Sequence, residues 1–182
     1  MNDLLLLSTL LGGPQHGYAL KKLAGLLTGQ GEMHNNVVYP LLRRFVENGW
    51  VRQQTAGGKR GQTRELYTLT EKGHRELLLR LAHFTEKEAA SEGDFRLRVG
   101  LFAVLDNETR KQILQARRDW LLQRQERLSK LRATMVAMKA AAWGHSVLSH
   151  IVAQIRAELR WIAGLQRQIS VSKKTSKQIA KH

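Results

Sequence analysis

Apolar residues at the start of the chain follow helical spacing and are separated by helix-breaking residues. Segment 3–11 is almost wholly apolar and is followed by Gly12, Gly13 and Pro14, which predicts a short first helix that ends there. Leucines then recur at steps of three and four between residues 16 and 27, which predicts a second helix.

A third helix is predicted to begin near Asn35 or Asn36. Both residues are capable N-caps, and Pro40 is tolerated only close to the first turn because proline lacks an N–H group. The apolar stripe of this helix stops at Asn48 and Gly49, a common C-terminal pair. Because the second helix is predicted to end near residue 27, a short turn joins it to the third.

Two strand-like segments follow, at 50–55 and 64–70, and the glycine-rich sequence between them allows the chain to reverse. They predict a β-hairpin with a basic tip. Thr70 is a good N-cap for a fourth helix, with Glu71 favourable in its first turn.

The second half of the chain carries apolar residues at a seven-residue repeat. Asp106 and Asn107 cap one long helix, and a second helix follows Gly144. We expect an antiparallel pair packed against the same pair of a second chain, because neither helix can hide its apolar face in a lone pair. The predicted dimerisation residues are Leu114, Leu121, Leu128, Leu131, Met135, Leu148, Ile155, Leu159 and Ile162.

The order of these elements predicts a mainly α-helical protein with a small β-hairpin. Residues 1–84 are interpreted as a winged helix-turn-helix and residues 85–170 as a helical, coiled-coil-like dimerisation domain. Residues 171–182 contain four lysines and no apolar stripe, which predicts a basic, disordered tail.

The net charge of the chain indicates the kind of partner that it binds. The chain has 30 Lys and Arg against 15 Asp and Glu, a net charge of +15, which favours a polyanion. In a winged helix-turn-helix the third helix enters the major groove of double-stranded DNA, and a basic hairpin tip suits phosphates. The predicted DNA-binding residues are Asn35, Asn36, Tyr39, Arg43, Arg44, Lys59, Arg60 and Arg64.

Several short motifs stand in a specific order. They are Gly13 and Pro14 after the apolar helix, HGY at 16–18, VVYPLLRR at 37–44 and LYTLTEKG at 66–73. In these motifs the chain resembles the PadR family of bacterial transcriptional regulators, and its second half is similar to the longer PadR subfamily. The resemblance implies a homodimeric repressor that a small-molecule effector or another signal releases from its operator. Two linked modules would read two half-sites, so the operator is predicted to be pseudo-palindromic.

Aromatic residues outside the predicted DNA surface have two interpretations. Trp120, Trp143 and Trp161 fit packing at the dimer interface, which is favoured, or an effector pocket in which a flat ligand stacks on indole rings. Tyr18 and His16 could belong to a ligand or catalytic site, but they are interpreted as packing residues, since a buried tyrosine at the start of a helix usually packs with its hydroxyl group satisfied.

Other function classes find no support in the sequence. There is no cysteine, His145 and His150 are five residues apart and do not share a helical face, and no nucleotide-binding or catalytic motif occurs. No metal, cofactor or enzymatic activity is therefore expected. Apolar runs fall far short of the roughly 20 residues of a membrane span, and a cytoplasmic location is expected. One alternative remains open: a basic architectural protein that coats nucleic acid without sequence specificity and binds a partner through its long helices.

Overall fold

The computed structural model describes residues 1–28, 32–57, 63–137 and 142–179. Helices predominate, and three short strands form one sheet. The α-helices and strands are α1 (Asn2–Ser8), β1 (Gln15–His16), α2 (Gly17–Thr28), α3 (Asn35–Glu47), β2 (Val51–Gly57), β3 (Thr63–Leu69), α4 (Glu71–Ala82), α5 (Glu86–Ala90), α6 (Glu92–Gly100), α7 (Asn107–Ala137) and α8 (Ala142–Ile179). Short 3-10 helices occupy Thr9–Gly12 and Phe102–Val104.

The chain divides into two compact units. The first comprises Met1–His83 with Arg96–Leu105, and the second comprises Phe84–Phe95 with Asp106–His182. The sequence had assigned residues 96–105 to the helical domain. These residues belong to the first unit because one of them is a buried arginine that bonds to that unit. Apolar periodicity does not predict such a contact.

Arg98 is that arginine, and it is 1% exposed. Its Nε donates to the carbonyl oxygen of Leu81 at 3.2 Å, and its Nη2 donates to the carbonyl oxygen of His83 at 3.1 Å. These oxygens belong to the C-terminal end of α4, where backbone carbonyls lack helical partners and a cation is favoured. Arg98 thus attaches its segment to the first unit.

The core of the first unit forms around α1. Leu4, Leu5, Leu6 and Leu7 are all buried, as expected of a helix that is apolar all round. The α-helix ends at Ser8 rather than at residue 11, and a 3-10 turn completes the segment.

The predicted end of the third helix, the hairpin and the Thr70 cap are confirmed. Helix α3 is followed by Gly49, whose φ of 70° lies in the left-handed region that favours glycine. Thr70 caps α4, since its Oγ1 accepts the Gly73 N–H at 3.0 Å. The predicted hairpin forms with Val51 opposite Leu69.

A third strand, β1, pairs antiparallel with β3 and gives the sheet order β1-β3-β2. Its two residues are too few to show alternation, so the sequence did not predict it.

In the second unit, α7 and α8 form the predicted antiparallel pair. Asp106 begins α7 by accepting the N–H groups of Glu108 and Thr109, each at 2.9 Å. The hydrogen bond from the Thr109 backbone is the largest of the effects that lower the pKa of Asp106. The carboxylate therefore stays ionised as a cap to lower pH than an ordinary aspartate.

Helix α8 is longer than predicted at both ends. It begins at Ala142, so Gly144 lies within it, and it runs to Ile179, into the segment that the sequence assigned to a disordered tail. Neither Pro nor Gly occurs between residues 165 and 179, so no strong helix-breaking residue ends the helix at 170.

Candidate nucleic-acid interface

The third helix buries one face and exposes the opposite one. Val38 and Phe45 are fully buried in the core of the first unit. At about 100° per residue, Asn36, Tyr39 and Arg43 lie together on the outward side, where all three are exposed. The structure therefore brings three of the predicted DNA-binding residues onto one face of α3. The major groove of DNA is wide enough to admit such a helix.

The start of α3 differs from the expectation that an asparagine caps it. His34 is the N-cap residue, and its carbonyl oxygen accepts the N–H of Val38 at 3.1 Å. Asn35 and Asn36 are thus the first two helical residues, and both are exposed. Because the backbone of His34 begins the helix, neither asparagine is needed as the cap.

Arg44 lies on a different side of α3 from Arg43. Its Nη2 donates to Oδ2 of Asp3 in α1, and Nη1 of Arg80 is 3.5 Å from the same oxygen. This cluster links α3 to α1 and α4 within the first unit. Of the predicted DNA-binding residues on α3, Arg44 is the one that forms an ion pair with α1, and its side chain is 48% exposed.

A cavity of about 500 Å³ adjoins the exposed face of α3. Tyr18 is 64% exposed, so its interpretation as a buried packing residue is wrong. The ring lies on the solvent side of α2, while Leu20 and Ala24 of the same helix are buried. The cavity is lined by His16, Gly17, Tyr18, Ala19, Tyr39, Arg64, Glu65 and Tyr67.

Gly17 leaves room for the Tyr39 ring. A Cβ atom at residue 17 would lie 3.1 Å from Cε1 of Tyr39, closer than ordinary contact. The absence of a side chain at Gly17 therefore lets the ring of Tyr39 rest on the start of α2. The HGY motif signals this contact, although its partner in α3 becomes visible only in the structure.

Tyr67 and His16 form the inner part of the cavity. Burial raises the pKa of Tyr67, and the nearby Glu65 carboxylate raises it further, so the phenol stays protonated to higher pH than an ordinary tyrosine. Nδ1 of His16 is 3.1 Å from the carbonyl oxygen of Glu65, an arrangement in which the ring donates. These contacts hold β1 and β3 together beneath Tyr18 and Tyr39.

The wing is the β2–β3 hairpin, paired from Val51 opposite Leu69 to Gly57 opposite Thr63. Arg64 is exposed next to the end of this ladder. Lys59 and Arg60, both predicted to contact phosphate, lie outside the described residues.

The predicted dimerisation residues are buried largely within one chain. Leu114, Leu121, Leu148, Ile155 and Ile162 are each at most 7% exposed. The expectation that a lone pair of helices cannot bury this repeat is therefore wrong, because α7 and α8 bury their repeats against each other. The remaining four positions comprise half-buried Leu128 and Leu159, Leu131 at 48% exposure, and Met135, whose side chain lies outside the described part.

Two of the three tryptophans predicted for an effector pocket are far apart. Trp143 and Trp161 lie on α8 about 27 Å apart, at about 1.5 Å per residue, and they are 87% and 41% exposed. Trp120 lies between two cations, with the guanidinium carbons of Arg117 and Arg124 at 4.9 Å and 5.2 Å from its ring centroid. One chain therefore cannot build a single pocket from all three rings.

The described ranges contain neither a candidate metal site nor a candidate membrane span. There, no three His, Asp or Glu side chains converge on a point that could hold a metal ion. None of the helices in those ranges is long and apolar enough to cross a membrane.

The chain is similar to several regulators. The model of the transcriptional regulator PadR-like family matches residues 6–78. A candidate transcriptional regulator from Thermoplasma acidophilum is 32% identical over 42% of this chain and 72% of its own, with a TM-score of 0.39. Bacillus subtilis PadR, solved in complex with operator DNA, is 20% identical over 92% of this chain and 98% of its own, with a TM-score of 0.45. A PadR family transcriptional regulator from Eggerthella lenta is 33% identical over 41% of this chain and 63% of its own, with a TM-score of 0.36. No curated protein matches the sequence.

The family match runs from α1 into α4, so it includes the whole exposed face of α3 and the sheet. The relative from T. acidophilum adds 32% identity over most of its own length. On this evidence the chain belongs to the PadR-like family of transcriptional regulators, which are DNA-binding proteins and not enzymes.

Proposed function

We propose that this chain is a homodimeric, sequence-specific repressor that binds a pseudo-palindromic operator and is released by a small molecule or another signal. The observation that carries the proposal is the outward face of α3, where Asn36, Tyr39 and Arg43 are exposed next to Tyr18 and Arg64. Membership of the PadR-like family supports the regulatory role.

The chemistry of this face suits base recognition in the major groove. An arginine guanidinium pairs with O6 and N7 of guanine, and an asparagine amide pairs with N6 and N7 of adenine. Arg43 and Asn36 are the corresponding residues here. The Tyr18 hydroxyl and the Arg64 guanidinium, on the flanks of the same face, are suited to phosphate oxygens, as are Lys59 and Arg60 by their sequence position.

Alanine at Tyr39 or at Arg43 is expected to weaken specific binding by about 1 to 3 kcal/mol per lost base contact, or roughly 5- to 150-fold in Kd. Tyr39 is 45% exposed and Arg43 is exposed, so the fold should be retained. The measurement is the Kd for a duplex selected from random-sequence DNA. Arg118→Ala, which removes the same charge from an exposed position of α7, is the control and should leave Kd nearly unchanged. Unchanged affinity in both interface variants would rule out α3 as the reading helix.

The proposed dimer requires an apolar surface that a single chain leaves exposed. Leu131 in α7 is 48% exposed and Val147 in α8 is 58% exposed. Counting from the Arg117–Glu158 pair, the two residues lie level to within about one turn, and the helical repeat puts them on the same face of the antiparallel pair. We place the contact with the second chain on this face.

Leu131→Asp is therefore expected to convert a dimer to a monomer without unfolding the chain, because the aspartate is solvated until a partner covers it. Leu122→Asp is the matched control: Leu122 is 40% exposed, but nine residues along the helix place it on the opposite face. Sedimentation should give monomer for the first variant and dimer for the second. Ile155→Asp would not test dimerisation alone, since Ile155 is buried within one chain and the aspartate would also destabilise the fold. A wild-type monomer, or equal masses for the two variants, would contradict this placement.

A further inference from the structure

A cleft between α7 and α8 in the second unit has no role in the functions described so far. Its volume is about 200 Å³, roughly that of six or seven water molecules at about 30 Å³ each. Leu128, Leu148 and Val152 form its apolar part. Polar side chains from both helices complete the lining: Gln125, Ser129, Arg132, Ser149 and Arg156.

The polar residues of the cleft recur at helical spacing. Gln125, Ser129 and Arg132 follow each other at steps of four and three on α7, and Ser149 and Arg156 are seven residues apart on α8. Each set therefore lies along one side of its helix. The two sets line the same cleft, so hydrogen-bond donors from both helices converge there.

Cationic charge in the cleft is not neutralised by the residues that the structure describes. Within the described ranges, neither Arg132 nor Arg156 takes part in an ion pair. Glu126 is the only carboxylate between residues 120 and 157. It is engaged elsewhere, since Lys130 lies 2.8 Å from it and lowers its pKa by hydrogen bonding. Two guanidinium groups thus line one small cleft, and no carboxylate among the described residues pairs with either of them.

We propose that this cleft binds a phosphate group and so bridges α7 and α8. Guanidinium groups match phosphate oxygens in a bidentate way, and serine hydroxyls supply further donors. A phosphomonoester offers three non-bridging oxygens to donors arriving from two helices, whereas a carboxylate or a phosphodiester offers two. The apolar part of the lining accommodates a small organic body attached to the phosphate. Free phosphomonoesters and the nucleic-acid backbone both present phosphate groups, and the experiment below separates these two sources.

The site is independent of the DNA-reading face of α3. It also lies on the opposite side of the α7–α8 pair from Leu131 and Val147, so the proposed dimer contact leaves it open. Occupancy would add charge-assisted hydrogen bonds between the two helices and stabilise their pairing.

The test is calorimetric titration of the full-length protein, free of DNA, at fixed ionic strength. The probes are phenyl phosphate, inorganic phosphate, benzoate and a random-sequence DNA duplex. Phenyl phosphate should bind once per chain, more tightly than benzoate and at least tenfold more weakly to Arg132→Gln and to Arg156→Gln. Arg127→Gln, an exposed change on the side of α7 away from the cleft, should bind like the wild type.

The outcomes distinguish the two sources of the phosphate. Saturable binding of phenyl phosphate that both cleft variants weaken identifies a free phosphomonoester site. Duplex binding that the same variants weaken, without binding of phenyl phosphate, identifies a nucleic-acid backbone contact. Benzoate binding as tightly as phenyl phosphate, or binding of every probe unaffected by the two cleft variants, or no binding at all, would overturn the proposal. Circular dichroism of each variant confirms that the helices are intact.

Discussion

Gly73→Ala is expected to destabilise the first unit by about 3 kcal/mol, at the upper end of the range for overpacked sites. A Cβ atom at residue 73 would lie 2.0 Å from the carbonyl oxygen of Trp50 and 2.9 Å from Cδ1 of Leu69. The obstruction is backbone, which cannot rotate away. That backbone is itself held, because the Trp50 carbonyl accepts the Thr70 N–H at 3.0 Å. The added methyl group would therefore push the start of α4 away from Trp50, which precedes β2.

Chemical denaturation of the full chain measures this loss. Gly100→Ala is the matched control, since it also replaces a helical glycine and a Cβ atom there would meet no atom within 4 Å. The control should be neutral or slightly stabilised, because alanine has the higher helix propensity. Equal midpoints for the two variants would show that α4 does not approach Trp50 as described.

Arg117→Ala is expected to cost about 3 to 5 kcal/mol in the second unit, the range for removing one partner of a buried ion pair. Arg117 is 2% exposed. Its Nε and Nη2 donate to the two carboxylate oxygens of Glu158 at 2.7 Å and 2.9 Å, and its Nη1 donates to the carbonyl oxygen of Ala89 at 2.6 Å. Alanine would leave the carboxylate of Glu158 without its cation and the carbonyl of Ala89 without this donor.

Two further variants test the physical cause. Arg118→Ala changes the neighbouring, exposed arginine and should alter the free energy of unfolding by no more than about 0.5 kcal/mol. Arg117→Leu combined with Glu158→Leu should be less damaging than Arg117→Ala, because it removes the stranded carboxylate together with its partner. An Arg117→Ala variant as stable as the Arg118→Ala control would contradict the buried pair.

Elements with short-range signals were predictable from the sequence. Gly49 ends α3, Thr70 caps α4 and Asp106 caps α7, each through contacts within a few residues along the chain. Such signals act locally, so one sequence suffices to locate them.

Features that depend on distant partners were not predictable. The heptad repeat showed that positions such as Leu121 and Ile155 are buried, but it did not show that the same chain buries them. Burial departs from what residue type suggests at two positions. Arg98 is charged but buried, because carbonyl oxygens of another helix accept its N–H groups, whereas Tyr18 is aromatic but exposed. Periodicity gives the face of a helix, whereas its neighbour depends on tertiary packing.

The central claim is that this chain reads a DNA sequence rather than coating any DNA. The most direct test is the ratio of two equilibrium constants at physiological salt: the affinity of the full-length protein for a duplex selected from random-sequence DNA, and its affinity for the same duplex with the bases scrambled. Sequence recognition by α3 predicts a ratio of roughly 10³ or more, which Arg43→Ala should reduce. A ratio near one, with binding that depends on salt alone, would contradict the account and favour a protein that coats nucleic acid through its net charge of +15.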